Sequence, residues 1–132
     1  MDMNMKVDFL VQEMIMGDRE LVMGLVRDPQ FGPCAMFGLG GIFTEALGDV
    51  SFRAAPLTEP DALEMMREIK GRKILSAYRG MPAMDLDDLG KSLIRLGQIG
   101  LDHEIIREID INPLIVKDGK PVAVDALIVL AN

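Results

Sequence analysis

Apolar positions in the first half of the chain fall in short runs set off by Gly, Pro and Asp. The runs cover residues 7–15, 21–26, 34–37 and 42–52, the last broken at Gly48-Asp49. Runs of this length and punctuation predict strands in an antiparallel meander. The period then changes. Ala62, Leu63, Met66 and Ile69 recur at helical spacing behind Thr58, which can cap a helix with Asp61 three residues on. Asp85 opens a second helix with Asp88 at its third position, and Leu86, Leu89, Leu93, Leu96 and Ile99 make one apolar stripe. Residues 78–82, Tyr-Arg-Gly-Met-Pro, read as the loop between the helices.

The last third returns to alternation. Ile109 and Ile111 point one way, and Glu108, Asp110 and Asn112 the other. Residues 114–116 extend that strand. Lys117-Asp118-Gly119-Lys120 has the Asp-Gly pair of a type I′ hairpin turn, and residues 122–130 form the return strand. Strands, two helices and a hairpin predict an α+β fold: an antiparallel sheet with two main helices on one face.

Composition narrows the function. The chain has 132 residues, with 14 Lys and Arg against 21 Asp and Glu, for a net charge of −7. The length suits a single domain over residues 1–132, with residues 1–8 a leading segment or linker. The acidic balance argues against nucleic acid and against an anionic membrane surface. The single Cys excludes an internal disulfide. Residues 1–6 lack a signal peptide's basic start, and no apolar run approaches the roughly 18 residues of a membrane helix. A cytoplasmic location is therefore expected. The 11 Met residues read as flexible core fillers.

The hairpin carries the chemistry. If Asp118-Gly119 is a two-residue loop, Lys117 faces Lys120 and Asn112 lies opposite Asp125. Asp110 is then one diagonal step from Asp125, about 7 Å away. Two carboxylates and an amide oxygen on one patch suit Mg²⁺, which prefers few hard oxygens and keeps waters. The competing reading is a solvated polar face, and Pro113 can introduce a bulge that shifts the register. The glycines of residues 37–42 read as a tight turn between strands rather than a phosphate loop, because no Lys-Ser/Thr follows. Cys34 reads as a buried structural thiol. His103 reads as a surface or helix-end residue, and one His supports no Ser-His-Asp set.

Several blocks resemble one family: residues 11–15 (Val-Gln-Glu-Met-Ile), 19–21 (Arg-Glu-Leu), 27–33 (Arg-Asp-Pro-Gln-Phe-Gly-Pro), 37–45 (Phe-Gly-Leu-Gly-Gly-Ile-Phe-Thr-Glu), 79–82 (Arg-Gly-Met-Pro) and 108–114 (Glu-Ile-Asp-Ile-Asn-Pro-Leu). The family is the ATP-grasp domain of NDP-forming acyl-CoA synthetases, the ADP-forming acetate–CoA ligases related to the succinyl-CoA synthetase β subunit. The likeness runs from about Phe9 to Leu130 and resembles the C-terminal subdomain of the ATP-grasp fold. The resemblance implies that the N-terminal ATP-grasp half, the CoA-binding domain and the phosphohistidine domain lie outside this chain, and that His103 is not that phosphohistidine.

By the same resemblance, Glu13 and the backbone at Met14, Ile15 and Met16 would line the adenine pocket, and Glu20 would contact the ribose hydroxyls. Asn112 and Asp125, with Asp110 beside them, would hold Mg²⁺ against the phosphates of ATP or ADP. The chain departs from many relatives at Leu127, where they carry Arg. The implied reaction interconverts acyl-CoA, ADP and phosphate with carboxylic acid, CoA and ATP, through a phosphohistidine outside this chain. The chain alone is expected to be inactive and to bind nucleotide weakly. The alternative is a non-catalytic ATP-grasp-like regulatory module of a protein acyltransferase. A plain interaction domain is a third reading.

Overall fold

The computed structural model describes residues 6–40 and 48–132. The elements run β1 (Arg19–Asp28), β2 (Gly32–Leu39), β3 (Val50–Ala54), α1 (Glu59–Glu68), a 3₁₀ turn (Arg72–Leu75), α2 (Leu86–Asp102), β4 (Ile106–Lys117), β5 (Lys120–Ala123) and β6 (Ala126–Leu130). The strands form one antiparallel sheet in the order β3-β2-β1-β4-β5, with β6 pairing the first half of β4. Both helices cover one face, as the change of period predicts.

The core lies between that face and the helices. Leu21, Met23 and Leu25 of β1 point into it beside Ala35 and Phe37 of β2. Leu89, Leu93 and Leu96 of α2 and Ala62, Met65, Met66 and Ile69 around α1 close it from above. Ser51 is buried with them, as are the polar residues Arg19 and Asp49. The Ser51 hydroxyl donates to the carbonyl of Met65 at 2.7 Å and ties β3 to α1.

Both helix starts follow the sequence. Thr58 Oγ1 accepts from the Asp61 N–H and the Asp61 carboxylate accepts from the Thr58 N–H, a reciprocal capping box. Asp85 caps α2 through the Asp88 N–H at 3.0 Å, and the same carboxylate pairs with Lys120 of the hairpin. Thr58→Ala is expected to cost about 1 kcal/mol, read as a lower denaturant midpoint at constant slope.

The caps also set an acid limb. The Thr58 backbone bond holds the Asp61 carboxyl below its ordinary range. The Lys120 bond, then the Asp88 N–H, does the same for Asp85. Depressed native values mean stability that is present above the ordinary carboxylate range and lost as pH falls through the lower native values. Asp85 raises Lys120 in turn, so that contribution persists through neutral pH and is lost only as pH rises through a value above the usual lysine range. The thermal midpoint should fall below about pH 4. An Asp61→Ala/Asp85→Ala variant should lose less of its midpoint over that acid range.

Three expectations need correction. Residues 7–15 form no strand and stand exposed, with Phe9 at 87% and Val11 at 93%. Their apolar run finds no partner strand among the described residues. β2 does not stop at Phe37 but continues through Gly38 to Leu39. Gly38 pairs with both Val22 and Val50 and so belongs to the sheet rather than to a turn. Gly40 lies beyond the strand, and the Gly41-Ile42 part of that glycine segment lies outside the described residues. So does most of the strand expected over 42–52, of which β3 is the remainder. The return strand expected over 122–130 is split into β5 and β6 at Val124-Asp125.

Candidate functional site

The face of the sheet away from the helices carries the site. Alternation along β1 turns Leu21, Met23 and Leu25 to the core and leaves Glu20, Val22, Gly24 and Val26 on the other side. Gly24 lies opposite Asp110 of β4. A Cβ there would meet the Ile109 carbonyl oxygen at 2.3 Å, so glycine permits this close approach of β1 and β4.

At the upstream end of the sheet a cavity of about 630 Å³ opens, with Glu20 and Ile115 on this face, Leu39 and Ile74 on the helix side, and Ile15 and Met16 beside them. Arg19 builds its floor. The side chain is only 1% exposed and pairs with Asp18 at 2.9 Å. It also donates to the carbonyls of Ile74, Ser76 and Pro82 at 2.8, 3.2 and 2.6 Å. One planar guanidinium thus fastens the segment between the helices to the start of β1. That segment turns on Arg79-Gly80, both with positive φ, between the paired residues Tyr78 and Met81.

The hairpin turn is as expected: Asp118 and Gly119 have φ of 51° and 78°, and Lys117 pairs with Lys120. The register then holds from Lys120 to Val129 and shifts only at Leu130, which pairs with Ile106. Leu114 faces Ala123, Ile111 faces Ala126 and Asp110 faces Leu127. Between them the Asn112 N–H donates to the Asp125 carbonyl at 3.1 Å, and the Val124 N–H to the Pro113 carbonyl at 3.2 Å. Asn112 is therefore opposite Asp125. Pro113 does introduce a bulge, but against β1: Leu21 pairs with Leu114 and Met23 with Ile111, so Val22 alone faces Asn112 and Pro113. The bulge flips the alternation. Ile109 and Ile111 face the core before it and Leu114 and Val116 after it. Asp110 and Asn112 stay on the open face, and Ile115 joins them there as a wall of the cavity.

The structure therefore divides the expected site residues. Ile15, Met16 and Glu20 line the cavity. Glu13 and Met14 precede it and are exposed, Met14 at 81%. Asp110, Asn112 and Asp125 lie further along the same face, Asp110 half-buried and the other two exposed. The described ion pairs are those of Asp18, Asp85, Glu64 and Glu68, so neither Asp110 nor Asp125 is neutralised by one of them. Two carboxylates and an amide oxygen, solvent-facing on one patch, are a donor set that fits Mg²⁺ with retained waters. No three His, Cys, Asp or Glu side chains among the described residues converge closely enough to hold a metal by themselves. Cys34 is free and buried, and burial followed by Asp28 pushes its thiol up. His103 is exposed at the C-terminus of α2. Sequence reasoning missed Arg19, Leu39, Ile74 and Ile115. Arg19 stands in the Arg-Glu-Leu block just before the apolar run of residues 21–26, and nothing in that position marks it as a clamp.

An ATP-grasp domain family model matches residues 4–130. The chain is 47% identical over 121 residues to the β subunit of acetate–CoA ligase (ADP-forming) I of Pyrococcus furiosus, covering 92% of this chain and 52% of that protein. It is 46% identical to acetate–CoA ligase (ADP-forming) I of Archaeoglobus fulgidus, covering 93% of this chain and 18% of that one. A solved structure of the dinucleotide-forming acetyl-coenzyme A synthetase 1 of Candidatus Korarchaeum cryptofilum superposes with a TM-score of 0.84 at 50% identity. It covers 89% of this chain and 55% of that one. It holds coenzyme A and Mg-AMPPCP, with a phosphohistidine segment pointing towards the nucleotide-binding site. This chain spans about half the length, or less, of the relatives it matches.

Proposed function

The chain belongs to the ATP-grasp domain family, and from that premise we propose that it is the nucleotide- and Mg²⁺-binding part of an ADP-forming acyl-CoA synthetase. The observation that supports this most is the succession along β4, from Ile115 at the cavity at the end of the sheet to the oxygen donors Asn112 and Asp110. The relatives at 43–47% identity are named ADP-forming acetate–CoA ligases, and none of those reported above is a regulatory module.

The residues divide the work. Ile15 and Met16, with Leu39, Ile74 and Ile115, give the base an apolar slot, and the backbone of residues 13–16 supplies polar contacts at its edge. The Glu20 carboxylate accepts from the ribose hydroxyls. Asn112 and Asp125 hold Mg²⁺, with Asp110 beside them. When bound, the ion bridges phosphate oxygens and neutralises their charge. The fixed sheet keeps these oxygens in place, so little reorganisation is needed as the phosphoryl group moves. The acceptor is a histidine on a part of the synthetase outside this chain, as are the CoA site and the other half of the nucleotide cleft. The synthetase acts in the cytoplasm. No helix of the described residues is long and apolar enough to cross a membrane.

The test is a reconstitution. The intact protein, given a short-chain acyl-CoA, ADP, phosphate and Mg²⁺, should form ATP, and omission of phosphate or Mg²⁺ should stop it. ATP formation that is indifferent to Mg²⁺, or none with any acyl-CoA, would contradict the assignment.

A further inference from the structure

One buried carboxylate has no part in the roles above. Asp49 stands just before β3, only 6% exposed, and none of the described ion pairs includes it. Each of its oxygens accepts one backbone bond, Oδ1 from the Lys70 N–H at 2.6 Å and Oδ2 from the Gly71 N–H at 2.8 Å. A buried carboxylate without a cation is costly. This one also lies against the negative end of α1, which closes at Ile69. A neutral acceptor would stabilise the same turn with a smaller penalty. Such a departure from the local rules is expected where a position has to be held.

Asp49 joins two walls of the cavity. Its backbone carbonyl accepts from the Leu39 N–H at 3.3 Å. Its carboxylate fixes Gly71, whose own carbonyl accepts from the Ile74 N–H at 3.0 Å. Leu39 and Ile74 are the helix-side walls. The fit between them is tight: a Cβ at Gly71 would lie 2.7 Å from Leu39 Cδ1 and 3.1 Å from Asp49 Oδ2. Arg19 holds the other end of the same 3₁₀ turn through the Ile74 carbonyl at 2.8 Å. The turn is thus fixed by a carboxylate on the N–H groups that lead into it and by a guanidinium on the carbonyls that leave it. Across the cavity, Glu20 and Ile115 pair with each other on β1 and β4, so the sheet ladder sets their position. The width of the cavity therefore depends on where Leu39 and Ile74 are held.

We propose that Asp49 is a positioning residue for nucleotide binding: it sets the distance of Leu39 and Ile74 from Ile115, and with it the grip on a flat aromatic base. The proposal rests on the function proposed above, which takes the cavity as the base slot. Loosening this wall weakens contact with the base. It leaves Asn112 and Asp125 untouched, because neither belongs to the turn or packs on it through the described hydrogen bonds. Contact with the base is the same before and during phosphoryl transfer, so its loss raises KM for ADP and leaves kcat alone.

The test is steady-state ATP formation by the intact synthetase carrying Asp49→Asn, whose single amide oxygen can accept only one of the two N–H bonds. KM for ADP should rise about fivefold, the scale of one lost hydrogen bond, while kcat and KM for the acyl-CoA stay at wild-type values. Gly71→Ala keeps the carboxylate and crowds Leu39, and it too should raise KM for ADP alone. It decides the question if Asp49→Asn does not fold. An unchanged KM for ADP in every variant that folds overturns the proposal. So does an equal loss in all three constants, which would make Asp49 a purely structural residue. Leu39→Ala and Ile115→Ala separate this from a failure of the base slot. If either raises KM for ADP while Asp49→Asn and Gly71→Ala do not, the slot stands and the positioning role falls. If neither does, the slot itself falls and the proposal with it.

Discussion

Asp125→Ala in the intact synthetase should lower kcat for ATP formation by at least about 100-fold, the scale of removing one preorganised electrostatic contact to the reacting group. Asp125 is exposed at the break between β5 and β6. Its backbone carbonyl, not its side chain, holds the register through the Asn112 N–H. The substitution therefore removes the carboxylate proposed to hold the metal while leaving the hairpin ladder in place, and the thermal midpoint should move by no more than a degree or two. Asp125→Asn keeps one oxygen donor without the charge and should fall between wild type and alanine. Steady-state kinetics beside a melting curve checks both parts. Loss of activity together with loss of the fold would mean that the residue is structural.

The second large effect falls on stability. Arg19→Ala removes a guanidinium that satisfies the carbonyls of Ile74, Ser76 and Pro82. At about 1 kcal/mol for each lost bond, the cost is about 3 kcal/mol, or roughly 10–15 °C in midpoint for a domain of this size. The segment between the helices should loosen with it, because it is fastened to β1 at that point. Amide exchange should rise first around Tyr78 and Met81, whose own pairing depends on that clamp. Arg19→Lys should recover only part of the loss, since an ammonium cannot reach three carbonyls in one plane. Full stability in Arg19→Ala would mean that water replaces the clamp without cost.

Much of this is legible in the sequence because the informative features are local. Thr58 with Asp61, Asp85 with Asp88 and the Asp118-Gly119 turn each specify geometry within four residues. The turn fixes Asn112 opposite Asp125 by counting alone. What the sequence hides is non-local. The strand expected over residues 7–15 fails because its apolar run has no partner strand among the described residues, and alternation cannot reveal a missing neighbour. The glycine at position 38 reads as punctuation, yet it is a strand position where the start of β3 presses close, a Cβ there meeting the Asp49 carbonyl and Val50 at 2.6 Å. The bulge at Asn112-Pro113 was anticipated as a threat to the hairpin register. It falls instead on the β1 side, keeps Asn112 beside Asp125, and turns Ile115 towards the cavity. Arg19 was invisible as a clamp because its three acceptors lie more than fifty residues away.

The central claim is that Asn112 and Asp125 share a divalent ion with the nucleotide. An anomalous difference map from crystals of the intact synthetase grown with Mn²⁺ and ADP tests it most directly. The account predicts a peak between the side-chain oxygens of Asn112 and Asp125, at about 2.2 Å from each, with phosphate oxygens completing the shell. A peak elsewhere on the protein, with Asp125 bound to water alone, would contradict it.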